Sequence, residues 1–297
     1  MNKFRIGFFG DGPWAHEALK RLLEEPDIEV VFICVRFDTP DSFLLKQAEM
    51  NHIPALKFKN VNLKENIIIM KGFHADLFVS MSFNQIFRDE LLRIPAYRTI
   101  NCHAGKLPFY RGRNILNWAL INGEQEFGIT VHLVDSGIDT GAIICQATFP
   151  ISLEDDYGSL LRVAYKECAP LILKSIISIK LGLAKPIPQN QINAFGTYFP
   201  RRRIGDELIN WNQPAQNVFN FIRALANPGP QAQTRLNHQL IKINRSIFFE
   251  QAPNFTGIPG SVIGIGREGI SVKTADSFIL ATEFSETYKP HLGDRLT

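Results

Sequence analysis

At 297 residues, with 45% hydrophobic and 21% charged side chains, the chain can bury a proper core, and its length favours two domains over one. A formal charge of only +3, with no long run of Lys or Arg to supply the stripe of a nonspecific nucleic-acid binder, means that a dedicated nucleic-acid binder is not the default. Cys34, Cys102, Cys145 and Cys168 have neither zinc-site spacing nor disulfide-scaffold density, and no signal peptide or membrane span of roughly 18 apolar residues is visible. The expectation is a cytoplasmic protein with reduced thiols and no membrane partner.

In chain order, Phe4 to Phe9 is an apolar run closed by Gly10-Asp11-Gly12-Pro13, and Trp14 to Leu23 then puts Ala15, Ala18, Leu19, Leu22 and Leu23 on one helical face. Glu29 to Val35 predicts a second buried strand, Ser42 to Asn51 a helix, and Leu77 to Met81 another strand. Alternation of this kind implies a Rossmann-like α/β domain, a parallel sheet with helices on both faces. The pattern continues through a strand ending at Asn101-Cys102-His103, a loop rich in Gly, Pro and Arg, and a helix over Ile115 to Ile121. Strands over Gly128 to Val134 and Ala142 to Phe149 flank the turn Asp135 to Gly141, and Asp155 is placed to cap a helix reaching about Leu181, kinked at Pro170.

The first domain is therefore expected over residues 1–185, followed by a Pro- and Arg-containing linker over 186–204. In the second domain, 205–297, an amphipathic helix over Gln213 to Ala226 precedes short alternating segments at Gln239 to Phe249, Gly260 to Gly264, Gly269 to Thr274 and Ser277 to Thr282. These predict a smaller, OB-like β-barrel.

Gly10-x-Gly12-x-x-Ala15 resembles a dinucleotide fingerprint, but Arg36 stands where the second strand should end in Asp or Glu, so an ordinary tight turn is the simpler reading. A substrate phosphate near Asp11, Gly12 and Trp14 stays open. Asn101 and His103, two apart on a strand end, project to the same side, where an amide and an imidazole can converge on one oxygen. Asp139 lies in a glycine-bearing loop after a neighbouring strand, from which a carboxylate can reach the crevice at the carboxyl ends of the strands. A metal site built from His103, His132, Asp135 and Asp139 is the rival constellation, disfavoured by its spacing, so no metal is expected. His132 then reads as a strand residue packed against the loop, and Trp118 as core. Lys106, Arg111, Arg113, Arg201 and Arg202 are by default solvated charges, although these cations are also candidates for acceptor binding, Arg202 through a bidentate phosphate contact.

The segments Asn101 to Gly112, Trp118 to Glu124, Gly128 to His132 and Asp135 to Gly141 together resemble the folate-dependent formyltransferases, and Ile209-Asn210-Trp211 with Phe221 to Leu225 extends the likeness into the C-terminal domain. The resemblance implies 10-formyltetrahydrofolate as formyl donor and Asn101, His103 and Asp139 as the catalytic set. It implies that Phe83, Asn84, Ile86, Leu107, Val134, Gly137, Ile138 and Asp139 hold the pterin, largely through backbone. The methionyl-tRNA enzymes of the family carry a basic insertion after the second strand, which Arg36 to Ser42 lacks. By contrast, Phe199 to Trp211 is similar to the domain that formylates UDP-4-amino-4-deoxy-L-arabinose. The likeness therefore implies a sugar nucleotide as acceptor for surface-glycan (lipopolysaccharide or O-antigen) synthesis, with no nucleic-acid partner; methionyl-tRNA is the alternative, and homodimerisation stays open.

Overall fold

The computed structural model describes residues 3–285 and 287–297. The chain begins β1 Phe4–Gly10, α1 Gly12–Glu24, β2 Ile28–Val35, α2 Ser42–Met50, β3 Ala55–Lys57, α3 Lys64–Gly72, β4 Leu77–Met81, α4 Asp89–Leu92 and β5 Thr99–His103. Next come β6 Arg111–Gly112, α5 Ile115–Ile121, β7 Glu126–Leu133, β8 Ile143–Pro150 and α6 Tyr157–Lys180, then β9 Tyr198–Phe199 and α7 Ala215–Leu225. It ends with β10 Ala232–Leu236, β11 Gln239–Ile247, β12 Val262–Ile265, β13 Ile270–Lys273 and β14 Phe278–Phe284. Two compact units result: residues up to Gly112 with Phe127–Phe149 and Arg162–Tyr198, and Arg113–Glu126 with Pro150–Leu161 and Phe199–Thr297.

The first unit is built on a seven-stranded sheet of order β3-β2-β1-β4-β5-β7-β8. Its middle strands are almost wholly buried, which is why they read as continuous apolar runs rather than as alternation. Phe9 anchors one face, its ring 4.7–5.5 Å from those of Phe32, Phe78, Phe83 and Phe87. Strands β1 to β5 run parallel, but β7 pairs antiparallel with β5, so the all-parallel expectation holds only for the first part of the sheet. The physical reason is that the β5–β7 connection stays at one end of the sheet instead of crossing a face, and a hairpin-length loop then turns β7 into β8. Leu133 N donates to Ala142 O at 2.9 Å to close that turn. A Cβ on Gly141 would stand 1.7 Å from the Leu133 carbonyl, so this close approach of two backbones requires glycine.

Helix α6 runs through Pro170 as one continuous element. Its N-terminus is capped by Asp156, which accepts from Ser159 N at 2.8 Å, while Asp155 instead receives Ser152 N and the hydroxyls of Ser152 and Ser159. In the second unit a five-stranded antiparallel sheet of order β10-β11-β14-β13-β12 forms an open half-barrel. Its core gathers Trp211, Val218, Ile222 and Leu225 against Ile241, Ile243, Val272 and Ile279. Helix α5 packs on α7 in the same unit, with Asn117 Nδ2 donating to Ala224 O at 2.5 Å. Among the described residues, no helix is long and apolar enough to cross a membrane.

Candidate active site

The antiparallel β5–β7 register places Asn101 directly opposite His132 and His103 opposite Thr130. Asn101 Nδ2 lies 3.3 Å from His132 Nε2. His132 is 2% exposed, and its Nδ1 sits 2.7 Å from the carbonyl of Leu133. A carbonyl can only accept, so Nδ1 carries the hydrogen, and in the neutral ring Nε2 accepts from the Asn101 amide. The same argument fixes His103: its Nε2 is 2.7 Å from the Tyr110 carbonyl and must donate, which turns Nδ1 toward Asp139 Oδ2 at 3.6 Å. Gly105 makes room for this arrangement, since a Cβ there would meet the His103 ring and the Tyr110 carbonyl at 2.4–2.7 Å.

Asp139 completes the group. Because β7 is antiparallel, its loop departs level with Thr99, where Val134 N donates to Thr99 O at 2.8 Å, so the loop leaves from the amino end of β5 and Asp139 has to return toward His103. The carboxylate thus reaches the carboxyl end of β5 by a returning loop rather than directly from the end of a parallel strand. The return uses a left-handed residue, φ 54° at Asp139, and is held by Gln189, whose Nε2 donates to the carbonyls of Asp139 at 2.7 Å and Gly141 at 2.8 Å. Arg111 in turn donates to Gln189 Oε1 from Nε and Nη2 at 2.9 and 2.6 Å. The carboxylate lies 3.5 Å from His132 Nε2 and accepts from Gly112 N at 2.9 Å. Burial works to raise the Asp139 pKa, but the nearby His103, the His132 contact and the Gly112 amide outweigh it and hold the carboxyl well below its ordinary range.

Two residues here lie outside the catalytic set expected from the sequence, His132 figuring as a site member only in the disfavoured metal constellation. His132 reads as a strand residue until the register sets it against Asn101. Gln189 sits in a Pro-containing stretch with no periodicity, and nothing local marked it. Asp135 is committed to its own turn, accepting from Gly137 N at 3.1 Å and Thr140 Oγ1 at 2.6 Å. Among the described residues, no group of three or more His, Cys, Asp or Glu is arranged to hold a metal ion.

The other predicted positions scatter in role. Leu107 is 2% exposed, with its carbonyl accepting from Gln146 and its amide facing Thr130 Oγ1, so its backbone already has partners within the fold. Phe83 belongs to the Phe9 cluster, whereas Ile86 and Ile138 are exposed and Val134 is half-buried. Gly137 is exposed in the turn bonded by Asp135. Asn84 Oδ1 is buried with no partner, an acceptor that fits a pterin bearing ring N–H donors. At the first turn, Gly12 N donates to Asp41 Oδ2 at 2.8 Å and Asp11 pairs with Arg36 at 3.1 Å, so a carboxylate already stands where a phosphate was considered. Trp14 packs edge-on to Tyr165 at 4.7 Å. Lys106 is half-buried, its stem against Gly128; Arg113 and Arg201 are exposed, and Arg202 is buried against Glu207.

Residues 4–173 match the family described as formyl transferase, and residues 203–292 match formyl transferase, C-terminal domain. The methionyl-tRNA formyltransferase of Citrifermentans bemidjiense is 33% identical over 306 residues, covering 100% of this chain and 94% of that protein. That of Clostridium acetobutylicum is 32% identical over 290 residues, covering 94% and 91%. Among solved structures, the N-formyltransferase from Helicobacter canadensis, in complex with folinic acid and dTDP-3-aminofucose, is 26% identical with a TM-score of 0.69, covering 95% and 99%. WlaRD, a sugar 3N-formyl transferase solved with dTDP and 5-N-formyl-THF, is 24% identical with a TM-score of 0.73, covering 97% and 100%.

The curated relatives overturn the sugar-nucleotide acceptor, and the exclusion of nucleic acid, that the short Arg36 to Ser42 loop and the Phe199 to Trp211 segment implied. A loop and a short motif report a few local contacts, whereas identity at 31–33% over nearly the whole chain weighs both units. The basic residue of that loop, Arg36, is moreover committed to Asp11 and Asp38.

Gln189→Ala strips two buried carbonyls and Arg111 of their partner, and a loss of about 1–3 kcal/mol in urea unfolding is expected; an unchanged midpoint would count against its holding role. For Asp139 the folded pKa is depressed, so its stabilisation is present above the ordinary carboxylate value and disappears as pH falls through the lowered one. The stability gap between the wild type and Asp139→Asn should therefore be widest near neutrality and shrink below about pH 4, as measured by unfolding across a pH series.

Proposed function

Because the chain belongs to the formyl transferase family, we propose that this formyltetrahydrofolate-dependent N-formyltransferase transfers its formyl group to the α-amine of methionyl-tRNA. One observation carries the acceptor: relatives named methionyl-tRNA formyltransferase align at 31–33% identity over 92–100% of the chain.

In this reading the amine attacks the formyl carbon in its neutral form, and the carbonyl oxygen becomes negative as the tetrahedral intermediate forms. Asn101 Nδ2 has two hydrogens. One is directed to His132 Nε2, which leaves the other for that oxygen. A fixed donor of this kind is worth ~3 kcal/mol, about a hundredfold or more in rate. His103 is anchored through Nε2–H to the Tyr110 carbonyl, so its Nδ1, beside Asp139, is the atom that exchanges a proton with the reacting nitrogens. Asp139 stabilises the imidazolium formed at that moment, and its depressed pKa keeps it ionised for the purpose. His132, accepting at Nε2, orients the Asn101 amide. No covalent enzyme intermediate is needed.

The acceptor is tested by supplying 10-formyltetrahydrofolate with methionyl-tRNA and, separately, with UDP- and dTDP-linked amino sugars. Formylation of the charged tRNA is expected, with affinity falling steeply as salt rises because several phosphates are contacted. Formylation of an amino sugar with the tRNA left untouched would overturn the reading. Asn101→Ala should lower kcat about a hundredfold while donor binding is retained; equal losses in both contradict the oxyanion role.

A further inference from the structure

The seven-stranded sheet ends in β3 on one side and β8 on the other, and the two edges differ in kind. Strand β3 is three residues long, with Lys57 exposed on it and Lys59 exposed just beyond. A short edge carrying lysines resists pairing with another chain. Strand β8 runs for eight residues, Ile143 to Pro150, without one charged side chain.

Only the start of β8 is paired on its outer side. Ile143 exchanges both backbone hydrogen bonds with Ile187 at 2.8 Å, so its N–H and C=O point away from β7. Strand period aims the same groups of Cys145, Ala147 and Phe149 outward. Among the described residues, no hydrogen bond reaches those outward groups.

Helix α6 runs alongside this edge. Cys145 Sγ lies 2.9 Å from Ser175 Oγ and 3.8 Å from the Leu171 carbonyl. The chain beyond α6 returns to Ile143, so the earlier turns of the helix lie beside Ala147 and Phe149. A step of two strand residues matches about four helical ones in length, which sets Ala147 level with Pro170 and Leu171. Around that level Glu167, Pro170, Leu171 and Lys174 share one stripe of α6, with Pro170 and Leu171 half-buried and Lys174 exposed. The stripe is acidic at one end, basic at the other and uncharged at its centre. Every residue of this surface belongs to the first unit.

We propose that β8 is a homodimer interface, on which a second copy of the chain pairs antiparallel about a two-fold axis at Ala147, so that the sheet continues from one subunit into the other. Ala147 then exchanges N–H···O=C bonds with its own copy, and Cys145 stands opposite the partner's Phe149. The same axis passes level with Pro170 and Leu171, and it brings Glu167 of each subunit toward Lys174 of the other. An extended peptide would satisfy the strand edge alone. A second copy satisfies the edge and the charge pattern of the helix together, as an isologous contact requires.

The test is sedimentation equilibrium of the intact protein over a concentration series, where a monomer–dimer equilibrium is expected. Ala147→Pro removes an outward N–H without touching the β7 ladder, and should weaken the dimer about tenfold or more while the circular dichroism spectrum is retained. Lys174→Glu should weaken it severalfold, less so at high salt, and adding Glu167→Lys should restore it. A protein that stays monomeric throughout the series overturns the proposal. So does a dimer that survives Ala147→Pro undiminished, because its contact then lies elsewhere. Should Ala147→Pro fail to fold, the charge exchange decides: recovery in the double variant supports this register, and a dimer indifferent to Lys174→Glu sinks it.

Discussion

The pairing of β5 with β7 is the constraint on which the site depends. Strand pairing fixes side-chain face with period two, so a slip of one residue would take His132 away from Asn101 and set Thr130 out of reach of the loop it braces. In the observed register Thr130 Oγ1 donates to Gly105 O at 2.7 Å and accepts from Gln146 at 2.7 Å, and Gln146 also reaches Leu107 O. On one and the same face of the pair, His132 thus orients the Asn101 amide while Thr130, two residues earlier, pins the 104–110 loop whose Tyr110 carbonyl sets the His103 tautomer.

A buried carboxylate between two imidazoles is costly to desolvate, and the fold offsets that cost with directional contacts rather than with solvent. Gly112 N and the neighbouring imidazoles surround Asp139, while Gln189 holds the backbone of its loop from behind. Such a network specifies a single arrangement, because each member leaves another unsatisfied if it moves. Acceptor choice lies outside this network. The same polar geometry serves any neutral amine delivered to the formyl carbon, so the acceptor is set by surfaces that bind the rest of the molecule. That is why a local loop comparison misjudged it, and why whole-chain similarity to the methionyl-tRNA formyltransferases carries more weight than the fold likeness to sugar formyltransferases.

Much of the architecture could be read directly from residues. The runs Phe4 to Phe9, Glu29 to Val35 and Leu77 to Met81 are apolar without alternation because both sheet faces are covered, and Gln213 to Ala226 carries the stripe that α7 buries. The short edge strand β3 and the helices α3 and α4 escaped because brief, half-exposed segments carry little periodicity.

What the sequence by itself determined was local: apolar period, turn chemistry, and the candidacy of Asn101, His103 and Asp139 through their motif context. Tertiary structure alone decided the strand direction of β7, the return path of the Asp139 loop, and the roles of His132 and Gln189. Those depend on which residues meet across 31 and 50 positions of chain, and side-chain period carries no information about partners so far away.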